Sequence, residues 1–144
     1  MGCACAAPAG GADQLLSNCT IHNGDDCVSV ITYGPGAGSS SFAIPCQSQP
    51  QLCRGGNVLV EDLVCDGGHG ASIGSMCNET ITNLTVRNMT FRDTTSGCRI
   101  KTYATKNCRG HVYNVNYHDL VMYDVQDPIN VDQFYESGHH PGPY

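Results

Sequence analysis

Two adjacent carboxylates lie in Asn23-Gly24-Asp25-Asp26-Cys27, an imidazole lies in Gly68-His69-Gly70, and two cations, Arg99 and Lys101, flank Ile100. Carboxyl groups beside an imidazole suit general acid and base catalysis, since one group can protonate a leaving oxygen while another takes a proton from water. Nearby cations suit a negatively charged substrate. Together these residue types fit hydrolysis of an acidic polysaccharide, in which a carboxyl group protonates the glycosidic oxygen and the cations hold a sugar carboxylate. Taken singly, each motif has a plainer reading. Asn-Gly-Asp-Asp is common turn chemistry, Gly-Gly-His-Gly can be a tight bend with a solvated imidazole, and Arg-Ile-Lys can be a solvated strand face. Catalysis is favoured only if the fold brings the three motifs into register.

A repeat supplies that register. Asp13-Gln14-Leu15-Leu16-Ser17-Asn18, Asn57-Val58-Leu59-Val60-Glu61-Asp62, Asn83-Leu84-Thr85-Val86-Arg87-Asn88 and Asn114-Val115-Asn116-Tyr117-His118-Asp119 each read as Asn or Asp, an alternating apolar strand, and Asn or Asp again. They start 44, 26 and 31 residues apart. The first interval contains an insertion, residues 34–56, so the underlying period is about 25 to 30 residues, the length of a solenoid coil. The expected fold is all-β, a right-handed parallel β-helix of about four coils whose inward residues form one continuous core. The competing architecture, a β-sandwich, would place turn signals every 8 to 12 residues without this long period.

Aligned on Asn18 and Asp62, Asp25 and His69 occupy the same position of successive coils, seven residues on. Strands in register lie about 4.8 Å apart, so Asp25, Asp26 and His69 are expected to share a patch. Arg99 and Lys101, two apart in a strand, point outward together while Ile100 points into the core.

Composition narrows the classes. Seventeen glycines, seven prolines, no tryptophan and 14% charged residues favour turn-rich β structure. A net charge of −6 with seven Lys and Arg argues against nucleic acid as partner. No segment approaches membrane-spanning length. Ten cysteines, together with the sequons at Asn18, Asn78, Asn83 and Asn88, point to a secreted, disulfide-bonded and glycosylated chain. Met1 to Pro8 lacks the apolar core of a signal peptide, so the leader is expected to have been removed or lost to truncation. The chain is expected to be one monomeric domain, with coils over residues 12–136, a projecting loop over 34–56 closed by Cys46 and Cys53, and an irregular tail over 137–144. No metal or cofactor is expected. The local spacing also suggests a bridge between Cys98 and Cys108.

The series Asn23-Gly24-Asp25-Asp26-Cys27, Gly68-His69-Gly70-Ala71-Ser72-Ile73-Gly74-Ser75 and Arg99-Ile100-Lys101 resembles, in order and approximate spacing, the signatures of polygalacturonases, and the likeness runs from about Leu15 to Gly138. That resemblance implies hydrolysis, with inversion, of α-1,4 bonds between galacturonic acid residues of pectin. Asp25 would be the general acid, Asp26 would help activate water and His69 would support the acid. Arg99 and Lys101 would bind the galacturonate carboxylate, and Tyr135 in Val131-Asp132-Gln133-Phe134-Tyr135 resembles a tyrosine that contacts substrate. Cys27 and Cys65 match a family disulfide.

The family also carries an Asn-Thr-Asp signature about one coil upstream of the acidic pair, and Met1-Gly2-Cys3-Ala4-Cys5 holds no carboxylate there. The chain is therefore expected to be truncated at its N-terminus. Two further functions compete with hydrolysis: a catalytically inactive pectin-binding or structural β-helix, and a calcium-dependent pectate lyase.

Overall fold

A computed structural model describes residues 14–32, 43–44, 57–77, 80–104, 108 and 110–135. Among these residues nine strands follow in chain order: β1 (Gln14–His22), β2 (Val28–Thr32), β3 (Ala43–Ile44), β4 (Val58–Asp66), β5 (Ala71–Met76), β6 (Thr80–Arg92), β7 (Ser96–Tyr103), β8 (His111–Tyr123) and β9 (Asp127–Tyr135). They form two sheets, ordered β1-β4-β6-β8 and β3-β2-β5-β7-β9, with every pairing parallel. The chain winds from one sheet to the other and back, as expected of a parallel β-helix.

The four sequence copies stack without slippage. Leu16, Val60, Val86 and Tyr117 are successive partners, as are Cys19, Leu63, Met89 and Leu120, and Ile21, Cys65, Phe91 and Met122. The closing Asn or Asp of each copy bends its strand. Asn18, Asp62, Asn88 and Asp119 all have φ between 49° and 58°, the left-handed region that Asn and Asp tolerate better than other side-chain-bearing residues. That single residue shifts the alternation, so Val58 and Val60 before the corner and Leu63 and Cys65 after it all point inward and are buried. The corners are also tied across coils. Asn88 Nδ2 donates to Asp62 Oδ1 at 2.5 Å, Asn114 Nδ2 donates to Asn83 Oδ1 at 2.5 Å, and Arg87 pairs with Glu61 at 2.6 Å. Of the glycosylation candidates, Asn18, Asn83 and Asn88 are exposed, and Asn78 lies outside the described residues.

Two expectations need correction. Part of the segment read as a projecting loop forms β3, whose Ala43 and Ile44 pair with Ile31 and Thr32. The edge of β2 presents unpaired N–H and C=O groups, and the inserted pair satisfies them. Cys46, Cys53 and the tail over 137–144 lie outside the described residues. The second correction concerns Cys108, which is bonded to Cys77 and not to Cys98. Cys77 and Cys108 follow the ends of β5 and β7 on neighbouring coils, with Cα atoms 4.3 Å apart. Cys98 instead shares the inward face of β7 with Ile100, in register with Ala71 and Ile129. Its thiol is free, and burial pushes its pKa up to about 11. The expected Cys27–Cys65 bridge is present.

Burial is complete in the middle coils and declines toward β8 and β9. Phe91, Leu63, Ile73 and Leu84 are fully enclosed, whereas Ile129 and Val131, in register with Cys98 and Ile100, are exposed. Phe91→Ala is therefore expected to cost about 3–5 kcal/mol of stability. Val131→Ala, at a residue 62% exposed, should cost less than about 0.5 kcal/mol. Urea unfolding of the two variants checks this, and equal losses would contradict a core that thins toward the last coil.

Candidate active site

The turns that enter the second sheet are stacked backbone on backbone. His69 N–H donates to the Asp25 carbonyl at 2.9 Å and Cys27 N–H to the Gly70 carbonyl at 2.9 Å; one coil on, Thr95 N–H donates to the Gly68 carbonyl at 2.8 Å. Gly68 adopts φ 76°, and a Cβ there would collide with the Asp25 carbonyl oxygen. Glycine is thus required where the coils approach most closely. Asp25 and His69 therefore meet as the sequence register implies, through their backbones.

Asp26 is the centre of the side-chain cluster. One carboxylate oxygen, Oδ1, accepts from Ser72 Oγ at 2.7 Å and lies 3.7 Å from Arg99 Nη1; the other, Oδ2, accepts from Lys101 Nζ at 2.5 Å. The Asp26 and Lys101 side chains retain 9% and 7% exposure, so the pair is shielded from the solvent screening that weakens surface ion pairs. Tyr135 closes the far side, its ring centroid 5.1 Å from Lys101 Nζ and 5.4 Å from Arg99 Cζ, within cation–π range. Tyr103 leans against that ring at 5.8 Å. Four successive coils thus contribute Asp26, Ser72, Arg99 with Lys101, and Tyr135.

The other two expected residues stand beside this cluster. The exposed Asp25 carboxylate accepts from the Asp26 backbone N–H at 2.7 Å, and His69 Nδ1 lies 2.8 Å from Thr95 Oγ1. Among the described residues no hydrogen bond joins these two side chains to each other or to the Asp26 carboxylate. Strand alternation works as expected, with Ile100 packed on the core and its two basic neighbours on the opposite face.

Three residues received no role from sequence alone. Ser72 shares its register position with Arg99, and Asn130 and Asp132 are the partners of Arg99 and Lys101 on the next coil. Only a register carried through all four coils would have singled them out. Asp132 Oδ1 accepts from the Phe134 backbone N–H at 2.9 Å.

Residues 12–143 match the family described as glycosyl hydrolases family 28. The chain is 35% identical over 127 residues to a probable endopolygalacturonase D of Aspergillus niger, covering 85% of this chain and 21% of that protein. It is 33% identical over 124 residues to a polygalacturonase of Brassica napus, with 83% and 26% covered, and 34% identical over 131 residues to a polygalacturonase of Prunus persica, with 85% and 28% covered. The chain thus spans between 21% and 28% of the length of these curated relatives. No solved structure matches it significantly.

Breaking a buried ion pair from one side strands the other charge. Lys101→Met is therefore expected to lower stability by about 3–5 kcal/mol, and adding Asp26→Asn should recover much of that loss. Denaturant unfolding of both singles and the double gives the coupling; strictly additive losses would mean that the pair is not closed in solution.

Proposed function

The chain belongs to family 28 of the glycosyl hydrolases, and on that premise we propose that its groove acts on pectin, hydrolysing α-1,4 bonds between galacturonic acid residues. The observation that carries this reading is the convergence on one strip of Asp26, Arg99, Lys101 and Tyr135 from coils far apart in sequence. A neutral sugar has no use for two cations over an aromatic ring. A galacturonate carboxylate does, since Arg and Lys bind it by charge-assisted hydrogen bonds while the tyrosine face packs on the pyranose.

In the proposed reaction Asp25, the exposed member of the acidic pair, is the general acid. It gives its proton to the glycosidic oxygen as the C1–O bond breaks, and His69 assists it. Asp26 helps to activate the water that attacks C1 from the opposite face. The product is the inverted, saturated reducing end plus a free hydroxyl on the leaving sugar. The setting we propose is extracellular.

One observation favours a second reading, pectin binding without cleavage. Both Asp26 oxygens are occupied, and the Asp25 carboxylate turns onto the Asp26 backbone N–H. One experiment separates the two. Incubation of the full chain with polygalacturonate should release saturated reducing ends, and Asp25→Asn should lower that rate by about 10²–10⁴-fold, the usual contribution of a general acid. Unchanged activity in the variant refutes the assigned acid. Binding that Lys101→Ala weakens, with no cleavage at any acidic pH, favours the second reading, and unsaturated ends would indicate a lyase.

A further inference from the structure

His69 is held by the coils on both sides of its own. Its backbone N–H donates to Asp25 on the coil before, and its Nδ1 lies 2.8 Å from Thr95 Oγ1 on the coil after. The Thr95 hydroxyl also lies 3.4 Å from the carbonyl oxygen of Gly68, beside the 2.8 Å bond from the Thr95 backbone N–H to that same oxygen.

The hydroxyl has one proton to give. If it is spent on Nδ1, the 3.4 Å contact with the Gly68 carbonyl carries no hydrogen bond. If it is spent on the Gly68 carbonyl, which has a second lone pair, the ring must supply the proton for the shorter contact, and both contacts are satisfied. We infer that Thr95 is a positioning residue that fixes neutral His69 as the tautomer protonated on Nδ1, leaving Nε2 as the ring's hydrogen-bond acceptor.

The tautomer follows from these contacts whatever the chain does; its use rests on the proposed function. A carboxyl group about to act as general acid carries one proton and must keep it for the glycosidic oxygen. A bare Nε2 can accept from a sugar hydroxyl at that site, whereas an Nε2–H would compete with the acid as a donor. Thr95 would thereby act through His69 without touching substrate itself.

The test reads the ring directly. Two-bond ¹H–¹⁵N spectra of the full chain, recorded above about pH 8 where an ordinary imidazole is neutral, should show a pyrrole-type Nδ1 and a bare Nε2 for His69, assigned by loss of its signals in His69→Gln. Thr95→Val should move the proton toward Nε2, and Thr95→Ser should restore the wild-type pattern. A wild-type ring protonated on Nε2, or a Thr95→Val spectrum identical to wild type, overturns the inference, and the first of these needs no variant to fold. Where the chain cleaves polygalacturonate, Thr95→Val should lower kcat about tenfold, the effect of roughly one hydrogen bond, with KM within about twofold, and Thr95→Ser should recover it. A chain that cleaves nothing sinks the hydrolytic reading and leaves the nitrogen shifts to decide the tautomer.

Discussion

Parallel strands held in strict register are the constraint on which everything else in this chain depends. Asp26 and Lys101 are 75 residues apart in sequence. They touch because β2, β5 and β7 are neighbours in one sheet and because Asp26, in the turn that leads into β2, reaches the outward face that carries Ser72 and Lys101. Two strand steps of about 4.8 Å separate the coil of Asp26 from that of Lys101, a gap that the long lysine side chain bridges while the shorter Ser72 fills the step between. A slip of one residue in any coil would turn that coil's groove residues into the core. Register is fixed from within by the interlocked columns of Leu63, Met89 and Leu120 and of Cys65, Phe91 and Met122. From outside it is fixed by left-handed corners that only a few residue types accept comfortably.

Those corners explain how much of the fold was legible in advance. A reader of the sequence sees Asn or Asp recurring at 18, 62, 88 and 119, and each turns out to be a residue of positive φ. The intervals of 44, 26 and 31 return as the separations of His22 from Asp66, Arg87 from Glu61 and Asn114 from Asn83. The pairing of Cys77 with Cys108 obeys the same rule, its 31 residues being one coil. The nearer candidate, Cys98, was misleading because residues close in sequence within a coil diverge around its perimeter, whereas residues one period apart coincide. By contrast β3 left no trace in the pattern, since two residues carry no periodicity. Ser72 was hidden for a different reason: a serine in an alternating strand reads as an ordinary outward residue until its neighbour on the next coil is known to be Arg99.

The energetics of the cluster also separate its members. Removing two charges from water costs several kcal/mol per ion, and mutual attraction offsets that only where the remaining lone pairs and protons are satisfied. Asp26 meets the condition, with Ser72 on one oxygen and Lys101 on the other. Tyr117, partly buried against the core, meets a similar one by donating its hydroxyl to the Ala71 carbonyl at 3.3 Å; desolvation, with the Cys98 thiol nearby, pushes its pKa well above the usual range.

Arg99 does not meet that condition. Its Nη1 reaches Asp26 only at 3.7 Å, and its buried Nε has no hydrogen-bond partner among the described residues. A buried donor left unpaired costs about 1–3 kcal/mol, and nothing in the packing of β7 requires that cost, because an aliphatic residue could lie along the same ring of Tyr135. The arrangement makes physical sense if the missing acceptor arrives with a ligand. A planar carboxylate laid against the guanidinium would take the unspent N–H donors, and its charge would offset the second cation of a site in which Asp26 neutralises only one. The donors are already oriented by the strand and the tyrosine, so little ordering cost remains for the ligand to meet. On this argument Lys101 secures the acidic centre while sharing in the proposed grip on a sugar carboxylate, for which Arg99 keeps its unspent donors.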